Sequence, residues 1–421
     1  MGHLLLVESW VGAMSTLLPR GIREGGHRFS FVTRDLQHYL RAKPVVGVHP
    51  LLGAENLLTT ETNDVPGLLT HLERLQPVLG FDAVLTSCDY YLAAAARVAE
   101  RLGLPGAPPE AVERACAKDR TRLALRDAGV PGPAFAISET ASGLVEAAEA
   151  LGYPLVVKPV DLCAGMFVRK VDGPAELREA HAALQGFPVN ARGQQRNPVV
   201  LLEELLTGPE VSVETVTFQG RTTVVGVTDK SVAGEPWFVE TGHMFPAALD
   251  ADTEKAVAET AVTAIEALGL DNIVGHTEIK LTPQGPRIVE VNPRPAGNQI
   301  TELIRRVMGI DLAAVYAQLA LGEKPDLHWV DTGAASAAIS FLLPPGEGTI
   351  SEVRGTDALA ADPAVVDWAC KGVGHRAGAA TSNNHYLGHV MVTSDRPAAA
   401  RGKAESLVAG LDVRYAAEAD A

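Results

Sequence analysis

The stretch from His276 to Arg294 constrains this chain more than any other. It reads as two strands around a Pro/Gly turn at residues 283–285. Ile279 and Leu281 alternate with Glu278 and Lys280, then Val289 and Val291 alternate with Glu290 and Asn292. A period of two places His276, Glu278 and Lys280 on one face, and likewise Glu290 and Asn292. A turn centred on Gln284 pairs Glu278 with Glu290 and His276 with Asn292. Two carboxylates directly opposed across a hairpin repel each other. A divalent cation is the natural offset, because magnesium takes one or two carboxylates, an amide oxygen, waters and phosphates. Asn292 offers the amide and Arg294 a positive fork. The alternative is an exposed hairpin whose acids are simply solvated.

The rest of the chain favours the first reading. Residues 3–8 (His-Leu-Leu-Leu-Val-Glu) form a short apolar run, a helix is expected over Met14–Glu24, and a second run covers Phe29–Val32. With Asp82–Thr86 and a helix over Leu92–Leu102, this rhythm predicts a small α/β domain with a parallel sheet over residues 1–115. Asp89 follows a strand end, where open α/β sheets present ligand sites. It can hold a substrate ammonium or cap the next helix.

A basic helix begins at Lys118 and ends at Gly129-Val130-Pro131. The strand Tyr153–Pro159 carries Lys158, and Phe167–Val171 is expected as another strand. The turn Ala164-Gly165 between them can lay backbone N–H groups over phosphates, and Cys163 reads as structural. Several cations ahead of an acidic hairpin suit nucleotide phosphates. Residues 187–198 are polar, with Pro188, Gly193 and Pro198, so an exposed loop is expected. A strand running into a turn over Pro198–Glu210, a strand over Val211–Phe218 and an amphipathic helix over 253–268 lead into the hairpin. Beyond it, Gln299–Met308 and Asp311–Leu321 read as helices, 335–395 as short strands, and Pro397–Leu411 as a last helix. Gly372–Ala377 fits GxGxxA but lacks a strand–turn–helix context, and no P-loop motif occurs.

Composition excludes several classes. The 421 residues suffice for two or three domains. A net charge of −15 without a basic run argues against a nucleic-acid partner. No apolar run approaches a membrane span. Cys88, Cys116, Cys163 and Cys370 lack CxxC spacing, which fits a reducing cytoplasm rather than zinc or disulfides. The N-terminus indicates neither a signal peptide nor myristoylation.

These motifs, in this order, resemble the ATP-grasp superfamily, and within it the carboxylate–amine ligases. The match runs from about residue 80 to about residue 320. The resemblance implies an ATP-grasp fold of α/β (α+β) class, with a Rossmann-like pre-ATP-grasp domain and a β-rich C-terminal subdomain. It divides the chain into 1–115, a lid with its linker helix at 116–215, a catalytic part at 216–330, and 331–421. It assigns Lys118 and Lys158 to ATP phosphates, with Lys158 also at the adenine edge. Glu203, Glu204 and the Leu206 backbone fall at adenine, and Glu210 at the ribose. Glu278 and Glu290, with Asn292, become the magnesium (or manganese) ligands, their 12-residue spacing matching biotin carboxylases and ligases. Arg294 matches the arginine that stabilises the reacting acyl centre. Thr241–Pro246, with His243, and Gly275–Glu278, with His276, are similar to the dipeptide-forming L-amino-acid ligase branch, as is Lys230 near the γ-phosphate. His276 is expected beside the metal acids rather than on the ion, since magnesium prefers oxygen. The loop Leu162–Met166 departs from the family's Gly/Ser-rich form.

The implied activity is ATP-dependent joining of a carboxylate, expected to be an amino acid, to an amine through an acyl phosphate. The partners are then small molecules, and family analogy suggests a homodimer. Competing readings are biotin-carboxylase-like carboxylation, a phosphotransferase, and nucleotide binding without catalysis.

Overall fold

The structure is a computed structural model describing residues 1–41 and 49–416. Four strands, β1 (His3–Val7), β2 (Arg28–Thr33), β3 (Leu57–Thr59) and β4 (Ala83–Leu85), form a parallel sheet in the order β3-β2-β1-β4. The apolar run of β1 is buried along its whole length, as expected for a sheet covered on both faces. The helix Met14–Glu24 buries Leu17, Leu18 and Ile22. Its Gly21 lets it approach the helix Leu312–Ala320: a Cβ there would lie 2.6 Å from the Ala314 backbone nitrogen.

A second, antiparallel sheet contains β5 (Phe135–Ser138), β6 (Leu155–Pro159), β7 (Arg169–Val171) and β8 (Val200–Glu204), in the order β5-β8-β6-β7. Helices Ala141–Leu151 and Pro174–Gln185 pack on it through Leu144, Ala148, Leu177 and Leu184. The expected strand from Phe167 is shorter, because Phe167 has φ 58° and still belongs to the preceding loop.

The third sheet carries the candidate site. Its strands are β9 (Glu210–Phe218), β10 (Arg221–Val232), β11 (Glu240–Phe245), β12 (Ile273–Thr282) and β13 (Gly285–Asn292). After residue 335 come β14 (Ser336–Leu342), β15 (Gly348–Arg354), β16 (Val365–Cys370), β17 (Arg376–Ala377), β18 (Gly388–Ser394) and β19 (Asp412–Tyr415). The order β13-β12-β9-β10-β11-β14-β18-β16 makes one eight-stranded sheet across residue 330, while β17-β15-β19 form a small sheet. The helix Thr356–Ala361 lies among the expected short strands, and Gly372–Ala377 leads into β17 rather than a helix.

The opening hairpin pairs Glu278 with Glu290 and His276 with Asn292, as the alternation requires. The turn differs from the expectation. Thr282 opposes Gly285 across Pro283-Gln284, and Ile279 opposes Ile288. That register alone would set Glu278 against Val289. A bulge at Val289 restores the pairing, and such bulges re-aim side chains near functional sites.

Candidate functional site

The two hairpin acids do not face each other without compensation. Glu278 accepts from Lys230 Nζ at 2.5 Å and from His276 Nε2 at 3.3 Å, while Glu290 pairs with Lys118 Nζ at 3.0 Å. The repulsion that a metal was expected to offset is offset here by side-chain cations. Burial pushes the Glu278 carboxyl up, but Lys230 and His276 outweigh it and hold it well below the usual range. His276 is held in turn by Glu214, at 3.0 Å from its Nδ1, and Ser212 donates to Glu214 at 2.7 Å. Burial would lower His276, yet Glu214, aided by Glu278, raises it to about 9, so the ring is cationic at neutral pH.

Lys118 sits at the start of the helix Lys118–Asp127. Its Nζ donates to Leu162 O at 2.6 Å, so one side chain bridges the acid Glu290 and the loop Asp161–Val168. Ala164, Gly165 and Phe167 all take positive φ there (57°, 67° and 58°), so a single glycine suffices for the turn. Asn383 N donates to Ala164 O at 3.1 Å, adding a clamp from the C-terminal part. Burial pushes the Cys163 thiol up to about 12, which keeps it protonated and supports its structural reading.

In β8 both faces are covered through Glu203, which is buried, and only the last residue, Glu204, is exposed. Glu203 is clamped by Lys158 at 2.6 Å and by a short contact from Arg122. Glu203, expected at the adenine, thus has both carboxylate oxygens on buried cations. Lys158 points to the same carboxylate. Burial raises the Glu203 pKa and the two cations lower it further, to about 2. Glu204 Oε2 lies 3.1 Å from both Ala134 N and Arg287 Nη1. Leu206 follows, half-buried, and its backbone N–H and C=O have no hydrogen bond among the described residues. Gly208 then turns the chain at φ 133°, where a Cβ would lie 2.1 Å from Leu281 O.

Lys230 is buried among three carboxylates: Glu278 at 2.5 Å, Glu240 at 2.9 Å and Glu210 at 3.2 Å. Burial would lower its pKa, but these acids raise it. Lys230, expected near the γ-phosphate, thus sits among three acids that neutralise its charge. Glu210, expected at a ribose, is shared between Lys230 and Lys280, each at 3.2 Å. His243 is buried 3.2 Å from Glu240, although neither ring nitrogen has hydrogen-bonding geometry to a partner among the described residues.

Arg294 leaves the hairpin and meets Asp89, with Nη2 at 2.6 Å and Nε at 2.7 Å from Oδ1. The Trp10 indole N–H donates to Asp89 Oδ2 at 2.7 Å. Asp89 lies in the short turn Asp89–Tyr91, and the next helix starts at Leu92 behind Tyr91, which corrects the capping reading. Its expected role with a substrate ammonium competes with Arg294 and Trp10 for the same oxygens.

Arg122, Glu214, Glu240 and Trp10 were not singled out from the sequence. Arg122 joins three elements: besides Glu203 it donates to Ile288 O at 2.9 Å and Val289 O at 2.5 Å, gripping the bulge that sets the acid register. Its place one helical turn after Lys118, on the same face, was the available signal.

Among the described residues, no three His, Cys, Asp or Glu side chains converge as a ready-made metal site. Two carboxylates plus an amide suit magnesium, which keeps waters and substrate phosphates in its shell. The nearly buried Asn292 stands on the strand face shared with Glu290.

Comparisons with known proteins agree with this architecture. Residues 151–302 match the ATP-grasp domain model, 26–106 the ATP-grasp N-terminal domain, and 340–416 the L-amino acid ligase C-terminal domain 2. Residues 151–302 are therefore an ATP-grasp domain, preceded by a segment that matches the ATP-grasp N-terminal domain. The C-terminal match is to the domain of L-amino acid ligases. Carnosine synthase 1 from Gallus gallus is 31% identical over 344 residues, covering 77% of this chain and 36% of that protein. Alanine–anticapsin ligase from Bacillus subtilis (strain 168) is 29% identical over 278 residues, covering 62% and 58%. The chain thus spans about a third to three fifths of these curated relatives. The L-amino acid ligase from Bacillus licheniformis has the same fold, with TM-score 0.81 over 99% of both chains at 23% identity.

Proposed function

We propose that this protein is an ATP-dependent carboxylate–amine ligase that joins an amino acid to an amine, forming an amide or peptide bond and releasing ADP and phosphate. The observation that carries this reading is the convergence of the Glu278–Glu290 pair, Lys118 and the Asp89-held Arg294 around one hairpin. The relatives named as ligases and synthases support it.

A carboxylate is a poor acylating agent, because its leaving group would be oxide. Phosphorylation by ATP replaces oxide with phosphate, and an amine can then attack. Lys118 is placed to shift from Glu290 to a phosphate oxygen when nucleotide arrives. Magnesium held by Glu278, Glu290 and the Asn292 amide would neutralise the phosphoryl charge. Arg294 is suited to bind the acid and then the oxyanion, since its guanidinium offers a planar fork. The sheet bearing Lys158 and the loop Asp161–Val168 serves as the lid that excludes water from the acyl phosphate. Leu206 supplies its open backbone edge to the adenine, and His243, near Glu240, faces the substrate. The four segments ending at 115, 215, 330 and 421 are proposed as the working units, and a homodimer as the assembly. Among the described residues no helix is long and apolar enough to cross a membrane. We place the protein in the cytoplasm.

The test is a panel of L-amino acids and amines with MgATP, read by ADP release and product mass. The proposal expects ADP release that needs an amino acid, and a product lighter than its two substrates by one water. ATP turnover with bicarbonate alone would favour the carboxylase reading.

A further inference from the structure

The polar loop 187–198, expected to be exposed, is docked instead. Asn190 organises it: Oδ1 accepts from Arg192 N at 2.9 Å and Gln194 N at 3.1 Å, and Nδ2 donates to Gln194 Oε1 at 2.8 Å. This presents Arg192 at the tip, 6% exposed, against the parallel-sheet domain. Its guanidinium lies 5.3 Å from the Trp10 ring centroid and 5.7 Å from that of Tyr39, and it donates to Ser9 O. Arg192 O accepts from Asn63 Nδ2 at 2.9 Å, and Gln194 Nε2 donates to Tyr90 O at 3.2 Å. The loop therefore grips the two segments that hold Asp89: Ser9-Trp10, which donates to it, and Asp89-Tyr90, which contains it.

We propose that Arg192 is a positioning residue, delivered by the lid, that aims Arg294 through Trp10 and Asp89. The chain of contacts runs from the Arg192 guanidinium on the Trp10 face, through the indole N–H on Asp89 Oδ2 at 2.7 Å, to Asp89 Oδ1 on Arg294 at 2.6 Å. A guanidinium over an indole face is attracted to the ring, so displacement of the loop loosens the ring that fixes Asp89. Seating the lid loop and seating the acid-binding arginine are thereby one event. Without the docked loop Trp10 loses the guanidinium on its face and keeps only Tyr90, 5.4 Å away between ring centroids, so its hold on Asp89 loosens. The inference rests on the proposed role of Arg294 toward the acid.

The test is a double-mutant cycle in the full chain, using Arg192→Ala and Trp10→Phe. Phenylalanine keeps an aromatic ring at position 10 but has no N–H to donate to Asp89. The acid is the proteinogenic L-amino acid that gives most ADP release with wild-type protein, varied at saturating MgATP and amine. Each single variant is expected to lose about tenfold in kcat/KM for the acid. The double variant should fall no further than the worse single, because both cut one chain of contacts. The dissociation constant for MgATP should stay within about twofold of wild type, a split that general loosening would not give. Arg192→Lys keeps the charge but not the planar guanidinium, and is expected to lose about threefold; it replaces Arg192→Ala in the cycle if the alanine variant does not fold. Additive losses, unchanged kcat/KM in both singles, or weakened MgATP binding in parallel would each overturn the relay. Wild-type protein with no acid-dependent ADP release would instead contradict the proposed function itself.

Discussion

Arg294 Nη2 lies 2.6 Å from Asp89 Oδ1, although 205 residues separate the two. Burial would raise Asp89 and lower Arg294, but each outweighs that for the other, so both stay charged. The pair hands a guanidinium from the hairpin to the mouth of the parallel sheet. Arg294→Ala should keep MgATP binding while acid-dependent ADP release falls by roughly 10²–10³, the scale of losing one preorganised oxyanion donor. Calorimetric MgATP binding beside an ADP-release assay checks this. Undiminished turnover would remove Arg294 from the reaction.

Glu290 pairs with Lys118 and faces Glu278 in register. Glu290→Ala should lower turnover by about 10²-fold or more, since a metal's contribution to phosphoryl transfer is several kcal/mol. Nucleotide binding should also lose its dependence on magnesium, measurable by titrating ATP with and without the ion. Rates equal to wild type would remove the metal assignment.

Lys230 is enclosed by Glu210, Glu240 and Glu278. Lys230→Met leaves three carboxylates without their common cation. Breaking a buried pair in this way costs roughly 3–5 kcal/mol. Urea unfolding should show that loss before any nucleotide is added. Unchanged stability would argue that Lys230 serves the substrate rather than the fold.

The acids of the hairpin were legible because alternation and a Pro/Gly turn are local properties. Even there the sequence reading centred the turn on Gln284. The structure reaches the same Glu278–Glu290 pairing through a tighter turn and the Val289 bulge. A bulge carries no residue signature of its own, and this one is held by Arg122, an ordinary member of a basic helix. The burial of Glu203 left no local signal, since β8 runs Val-Leu-Leu-Glu-Glu without alternation, and its cation partners come from distant segments. The loop 187–198 shows the opposite failure. Its polarity suggested solvent, yet Asn190 and Arg192 spend that polarity on the loop itself and on Ser9, Trp10 and Asn63. Docking between segments far apart in the chain leaves no periodic trace.

Glu203 gives a pH dependence with a definite sign. Its folded pKa is depressed from 4.5 to about 2. Its stabilisation is therefore present above the unfolded value near 4.5 and lost as pH falls through about 2. Glu203→Gln should flatten the acid limb of stability against pH between these values and lower stability at neutral pH by a few kcal/mol, on the order of that for a broken buried pair. Denaturation midpoints from pH 2 to pH 7 test it. An acid limb as steep as wild type would place the linkage on other groups.

The acyl phosphate is the step on which the proposed chemistry depends, and isotope transfer reports it directly. The amino acid is supplied with ¹⁸O in both carboxylate oxygens, and the phosphate released during amide formation is analysed by mass. Passage through an acyl phosphate moves one ¹⁸O into each phosphate, because the attacking carboxylate oxygen leaves with the phosphoryl group. Amide formation with unlabelled phosphate would contradict the account.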